Sequence, residues 1–142
     1  MITLLTDIAD KILEHSRESY PHECCGLLAG KSAGDGAEKV VSEVHRMTNT
    51  NHERAGDRFE IDPRELLKAE KAMKLRGLDI LGFYHSHPDH PARPSDFDRQ
   101  RGWPEYSYII VAVKGGVETE MTCWTFNSFD EPFRQEDIVA EG

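Results

Sequence analysis

A chain of 142 residues has the size of one domain, and a domain that size buries about 70% of its unfolded surface, so residues 1–142 are expected to form one self-supporting unit. The 26 acidic residues outnumber the 17 basic ones, and a net charge of −9 disfavours both a nucleic-acid backbone and an anionic membrane surface as partner. Ile2, Leu4 and Leu5 run straight into Thr6 and Asp7, so no targeting segment is expected, and no later run nears the roughly 18 apolar residues of a membrane span.

In chain order, Ile8, Ile12 and Leu13 form a helical stripe after Thr6, a candidate N-cap, and the helix should end near Ser19, before Pro21. Cys24 to Gly30 reads as a buried strand, Gly34-Asp35-Gly36 as a hairpin turn and Val40 to Met47 as the returning strand. Neighbouring cysteines on a strand face opposite ways, so Cys24 and Cys25 are poorly placed to pair. With Cys123 they make an odd count without CxxC spacing, which points to a reducing, cytoplasmic setting. Thr48 to Asp57 reads as a loop and Arg58 to Ile61 as a short strand.

Asp62-Pro63-Arg64-Glu65 is a strong helix start: Asp62 can cap, Pro63 suits the first position, and Glu65 can close a capping box. That helix carries Leu66, Ala69 and Met73 on one face and stops at Gly77. Asp79 to Tyr84 is a strand leading into His85, and Ser95 to Arg101 a short helix after Pro94. Tyr106 to Val113, a Gly115-Gly116 turn and Glu118 to Phe126 read as a hairpin, with Phe133 to Val139 a last edge strand. Interspersed helices and hairpins imply an α/β domain, a mixed β-sheet flanked by helices.

The chemistry concentrates in His85-Ser86-His87-Pro88-Asp89-His90 and the following Ser95-Asp96-Phe97-Asp98. Histidines at i and i+2 share one face of a strand end and can converge on one ion, and a carboxylate from the next turn can add a third ligand. Three protein ligands leave a fourth tetrahedral position for water, the pattern of a catalytic zinc. Taken singly, the two features have simpler readings. An HxH pair can be a solvated strand end, and Ser95 with Asp98 can simply cap a helix. The overlapping HxHxDH pattern is similar to metallo-β-lactamase-type hydrolases, but those need a further downstream histidine and none follows His90.

The combined pattern resembles the JAMM (MPN-plus) metallopeptidases: HxHP, with seven residues between the second histidine and Ser, then two residues and Asp, which His85, His87, Pro88, Ser95 and Asp98 fit without a gap. Pro21-His22-Glu23-Cys24-Cys25-Gly26-Leu27-Leu28-Ala29-Gly30 is similar to the upstream stretch of the small prokaryotic branch. The resemblance implies a single MPN-type domain of cytidine-deaminase-like architecture, with Zn2+ on His85, His87 and Asp98. Glu23 would be general base and then general acid toward the leaving amine, and Ser95 would donate to the oxyanion. It further implies hydrolysis of a peptide or isopeptide bond after the C-terminal Gly-Gly of a ubiquitin-like, sulfur-carrier protein. Two alternatives stay open: a broader deubiquitinase-like isopeptidase and a non-catalytic binding module. Of the other histidines, His22 and His90 are expected to flank the site, and His15, His45 and His52 to be exposed. Cys25 is expected to fill core space beside Gly26. Trp103 and Tyr106 are expected either to line the cleft or to pack in the core.

Overall fold

The computed structural model describes residues 1–33, 38–56 and 59–141. The expected Gly34-Asp35-Gly36 turn and the start of the expected strand at Arg58 lie outside them. In chain order the elements are β1 (Ile2–Leu4), α1 (Ile8–Ser19), β2 (Cys25–Ser32), β3 (Lys39–Met47), α2 (Pro63–Leu75), β4 (Asp79–Pro88), α3 (Asp96–Arg101), β5 (Ser107–Lys114), β6 (Glu118–Thr125), β7 (Arg134–Glu136) and β8 (Ile138–Ala140). Among the described residues the sheet runs β7-β6-β5-β4-β2-β3-β1-β8. The centre is antiparallel β2 against both β3 and β4, and β4 pairs in parallel with β5. This is the mixed α/β architecture the sequence implied. No helix of the described residues is long and apolar enough to cross a membrane.

The two faces of the sheet carry separate cores. On one, Ile8 and Ile12 of α1 pack with Leu28, Tyr84, Ile109 and Val111. On the other, Cys25, Leu27 and Met47 pack with Leu66 and Ala69 of α2 and with Phe59, Ile61 and Phe83. Cys24 falls in the first core and Cys25 in the second, as strand alternation requires. All three cysteines are free and buried.

Helix α2 begins as expected, with the Asp62 carboxylate accepting from Arg64 N–H and Pro63 in the first turn. It ends before Gly77, whose φ of +72° suits glycine. The capping box expected of Glu65 does not form: Glu65 Oε1 instead accepts from Thr48 N–H at 2.8 Å and ties the helix start to the preceding loop.

Four further expectations are corrected. The N-cap position of α1 is Asp7, at φ +72° and without a side-chain cap bond; Thr6 lies before it. His15 is buried, because α1 turns it inward, and its Nδ1 lies 2.6 Å from Tyr84 Oη. The Phe59–Ile61 segment makes only an isolated bridge, Ile61 to Asn49. The last edge strand divides into β7 beside β6 and β8 beside β1, separated by Asp137 alone. The sheet curls far enough for one short segment to serve both of its ends, and Ile2 N–H donates to Asp137 O across the closure.

Candidate active site

Strand β4 runs on through His85 and His87 to Pro88, so alternation sends both imidazoles to the α2 face and Ser86 to the other. All three are buried. Cys25 is the register partner of His85, and two residues earlier in the antiparallel chain Glu23 comes level with His87. Glu23 is 4% exposed. Helix α3 brings Asp98: the Ser95 hydroxyl accepts from Asp98 N–H, and Asp98 Oδ2 accepts in return from Ser95 N–H at 2.9 Å, a complete capping box.

His85 Nε2 and His87 Nε2 lie 3.1 Å apart, and Asp98 Oδ2 lies 3.2 Å from the first and 3.1 Å from the second. The three atoms form a nearly equilateral triangle. Two ligands of a tetrahedral ion at 2.0–2.1 Å are separated by about 3.3 Å, so the triangle fits a small ion. His87 Nδ1 is 2.9 Å from Pro91 O, a contact that needs the proton on Nδ1 and leaves the Nε2 lone pair turned toward the triangle. The carboxylate of Glu23 and the two imidazoles also offer atoms within 4.8 Å of one another. Asp98 Oδ2 lies within 3.2 Å of both rings, and Glu23 offers a second carboxylate to the same pair.

The electrostatics agree. Burial holds His85 below the usual imidazole range. Burial acts the same way on His87 but is outweighed by the Asp98 carboxylate and the Pro91 carbonyl, so its basicity rises. Burial raises Asp98, and the two imidazoles more than reverse this, holding it well below the carboxylate range. A buried carboxylate held in its charged form beside two imidazoles is an arrangement that could favour a cation at the centre of the triangle.

Beside the triangle lies an apolar groove of about 390 Å³, lined among others by Phe59, Phe83, Phe97, Trp103, Tyr108 and His85. Phe59 stacks on the His85 ring with centroids 4.5 Å apart. Glu60 and Arg101 form an ion pair between the groove's two walls. A larger cleft of about 930 Å³ opens at the start of β4, around Asp79 to Leu81, and contains none of these groups.

Other candidates fall away. Asp89, at φ +57°, turns outward and accepts from Tyr20 Oη and Gly115 N–H, and His90 is exposed, so the HxHxDH pattern assembles no site. His22 and His52 are exposed and His45 is partly so. The Cys25 thiol is pushed up to about 12, by burial first, and is no nucleophile. Trp103 is exposed at the groove, while half-buried Tyr106 lines the other cleft. Sequence reasoning missed Asn49, whose side chain donates to the Glu23 carbonyl. Nothing in a polar loop sequence marks it.

Residues 5–127 match the family described as prokaryotic homologues of the JAB domain. The chain is 36% identical over 135 residues to a desampylase of Haloferax volcanii, covering 92% of each chain. It is 29% identical over 115 residues to the CysO-cysteine peptidase of Mycobacterium tuberculosis, covering 80% of this chain and 75% of that one. A solution structure of a Desulfitobacterium hafniense protein, 34% identical, superposes with a TM-score of 0.85 over 99% of this chain and 93% of its own. With its fold, its motif and these relatives in agreement, the chain belongs to the small prokaryotic branch of the JAB/MPN (JAMM) family.

Proposed function

We propose that this protein is a zinc-dependent peptidase that cleaves after the C-terminal Gly-Gly of a ubiquitin-like, sulfur-carrier protein. The observation that carries the reading is the triangle of His85 Nε2, His87 Nε2 and Asp98 Oδ2, with edges of 3.1–3.2 Å, beside the buried carboxylate of Glu23. His85, His87 and Asp98 would hold the ion. Two imidazoles and one carboxylate suit zinc, which supplies Lewis acidity to water and to the scissile carbonyl.

The chain's own residues do the rest. Glu23 takes a proton from the attacking water on a carboxylate oxygen and returns it to the leaving amine. The Ser95 hydroxyl accepts from Asp98 N–H, and a hydroxyl that accepts can still donate, here to the oxygen that gains charge in the transition state. The groove receives the tail and excludes water from it. The substrate class is supported by the relatives, named desampylase and CysO-cysteine peptidase.

The test is to measure metal content and then follow, by intact mass, a sulfur carrier extended past Gly-Gly. About one zinc per chain and release of the extension are expected. His85→Ala should lose the metal, and Glu23→Gln should keep it and lose turnover. Absence of tightly held zinc after reconstitution would overturn the reading, as would near-normal turnover by Glu23→Gln.

A further inference from the structure

Glu23 and Cys24 precede β2, so the ladder does not hold them, yet their four backbone groups are all engaged. Glu23 N–H donates to Ala55 O at 2.5 Å, and Glu23 O accepts from Asn49 Nδ2 at 3.1 Å. Cys24 N–H donates to Ser86 Oγ at 2.9 Å, and Cys24 O accepts from Ser86 N–H at 3.2 Å. Two of these four bonds come from side chains. Ser86 is fully buried between the two histidines and turned to the opposite face. Asn49 is fixed at its other end, where Oδ1 accepts from Asn51 N–H at 3.0 Å and Glu60 N–H at 3.1 Å. Those three bonds also settle which amide atom is which.

We propose that Asn49 and Ser86 are positioning residues, which hold the backbone of Glu23 so that its carboxylate faces the His85–His87 pair; this rests on the reading of Glu23 as the base. Ser86 makes the placement of the base depend on the strand that carries both imidazoles. A shift of β4 would carry His85, His87 and Glu23 together. Asn49 makes it depend on the groove wall, because the amide that holds Glu23 also holds the backbone of Glu60. A tail pressing on that wall loads the base through one side chain.

Asn49→Asp keeps an acceptor for Asn51 N–H and Glu60 N–H but sets a carboxylate oxygen against Glu23 O in place of the donor, and Ser86→Ala removes the hydroxyl that holds Cys24 N–H. Displacing a base by about 1 Å costs up to about 100-fold, so each variant should lower kcat by about 10- to 100-fold with KM and zinc content unchanged. The decisive measurement repeats each substitution in a Glu23→Gln background, by single-turnover cleavage of the Gly-Gly-extended carrier. A residue that acts through Glu23 has nothing left to position there, so no further loss is expected. Equal losses in both backgrounds would overturn the proposal while leaving the base assignment intact. Full activity in Glu23→Gln would instead remove the base assignment itself. The two variants are independent, so misfolding of one, read from its melting temperature, leaves the other to decide. Misfolding of both would overturn the proposal in favour of a purely structural role.

Discussion

The Tyr84 ring lies across the α-carbon of Gly26: a β-carbon at position 26 would sit 2.1 Å from Tyr84 Cε2 and 2.3 Å from Cζ. The two residues are register partners on β2, which Glu23 shortly precedes, and on β4, which carries the histidines. Only glycine lets the ring lie flat there, and the ring's hydroxyl then reaches His15 of α1.

Gly26→Ala should therefore destabilise the fold by about 3 kcal/mol, the upper part of the usual overpacking range, and lower Tm by about 10 °C. Truncating the ring should return part of that loss. Thermal melts of Gly26→Ala, Tyr84→Leu and the double variant check this. A double variant whose loss equals the sum of the two single losses would show that the ring and the glycine do not compete for space.

His15 makes stability depend on pH. Burial first, and Arg46 second, lower its pKa to about 4 from the ordinary 6.5, against a smaller opposing pull from Glu18. Between those values the unfolded chain binds a proton that the folded one refuses, so the contribution is complete above about 6.5 and fades as pH falls toward 4. The loss should be about 3 kcal/mol over the whole window, of which about 2 kcal/mol has gone by pH 5. His15→Asn keeps an acceptor for Tyr84 Oη without the titration. Urea melts at pH 7 and pH 5 should show a smaller difference for the variant, and equal differences would exclude His15 as the source.

Ser95 has one observed role, as a cap, and one proposed role, as an oxyanion donor, and the two can be separated. As the N-cap of α3 it accepts from Asp98 N–H, and losing a cap costs about 1 kcal/mol. As an oxyanion donor it acts only in the transition state, and losing one costs about 10²–10³ in kcat. Ser95→Ala should show both effects, whereas Ser95→Asp, another good cap, should restore the melting temperature and leave kcat low. Recovery of kcat along with stability would reduce Ser95 to a cap that places Asp98.

The sequence made these elements legible unevenly, for physical reasons. Asp62-Pro63 and Ser95 announce helix starts because capping is local chemistry, complete within four residues. His85 and His87 announce a shared face because strand alternation is fixed by geometry. The curling of the sheet was not legible. It depends on Ile2 and Leu4, a strand of three residues too short to show a period, and on a segment around Asp137 that divides between two edges. Burial of His15 depends on Tyr84, 69 positions away. Asn49 was hidden for the same reason: its meaning lies in a carbonyl 26 positions earlier and an amide 11 positions later.

The groove sets the last prediction. Phe59, stacked on His85, narrows the approach to the ring, and the Glu60–Arg101 pair joins the walls. A chain reaching the triangle past these groups must bring its backbone close at the residue before the scissile bond. Glycine permits that approach and a β-branched residue resists it. A carrier whose tail ends Gly-Val before the extension should therefore be cleaved at least about 100-fold more slowly than one ending Gly-Gly, since one misfitted contact at the reacting centre costs that much. Trimming the wall tests the cause: Phe59→Ala should raise the rate on Gly-Val relative to Gly-Gly. Equal rates on the two tails by the unaltered enzyme would refute the narrow-groove reading and indicate a general peptidase. Discrimination that survived Phe59→Ala undiminished would move its origin from this wall to the residues of α3.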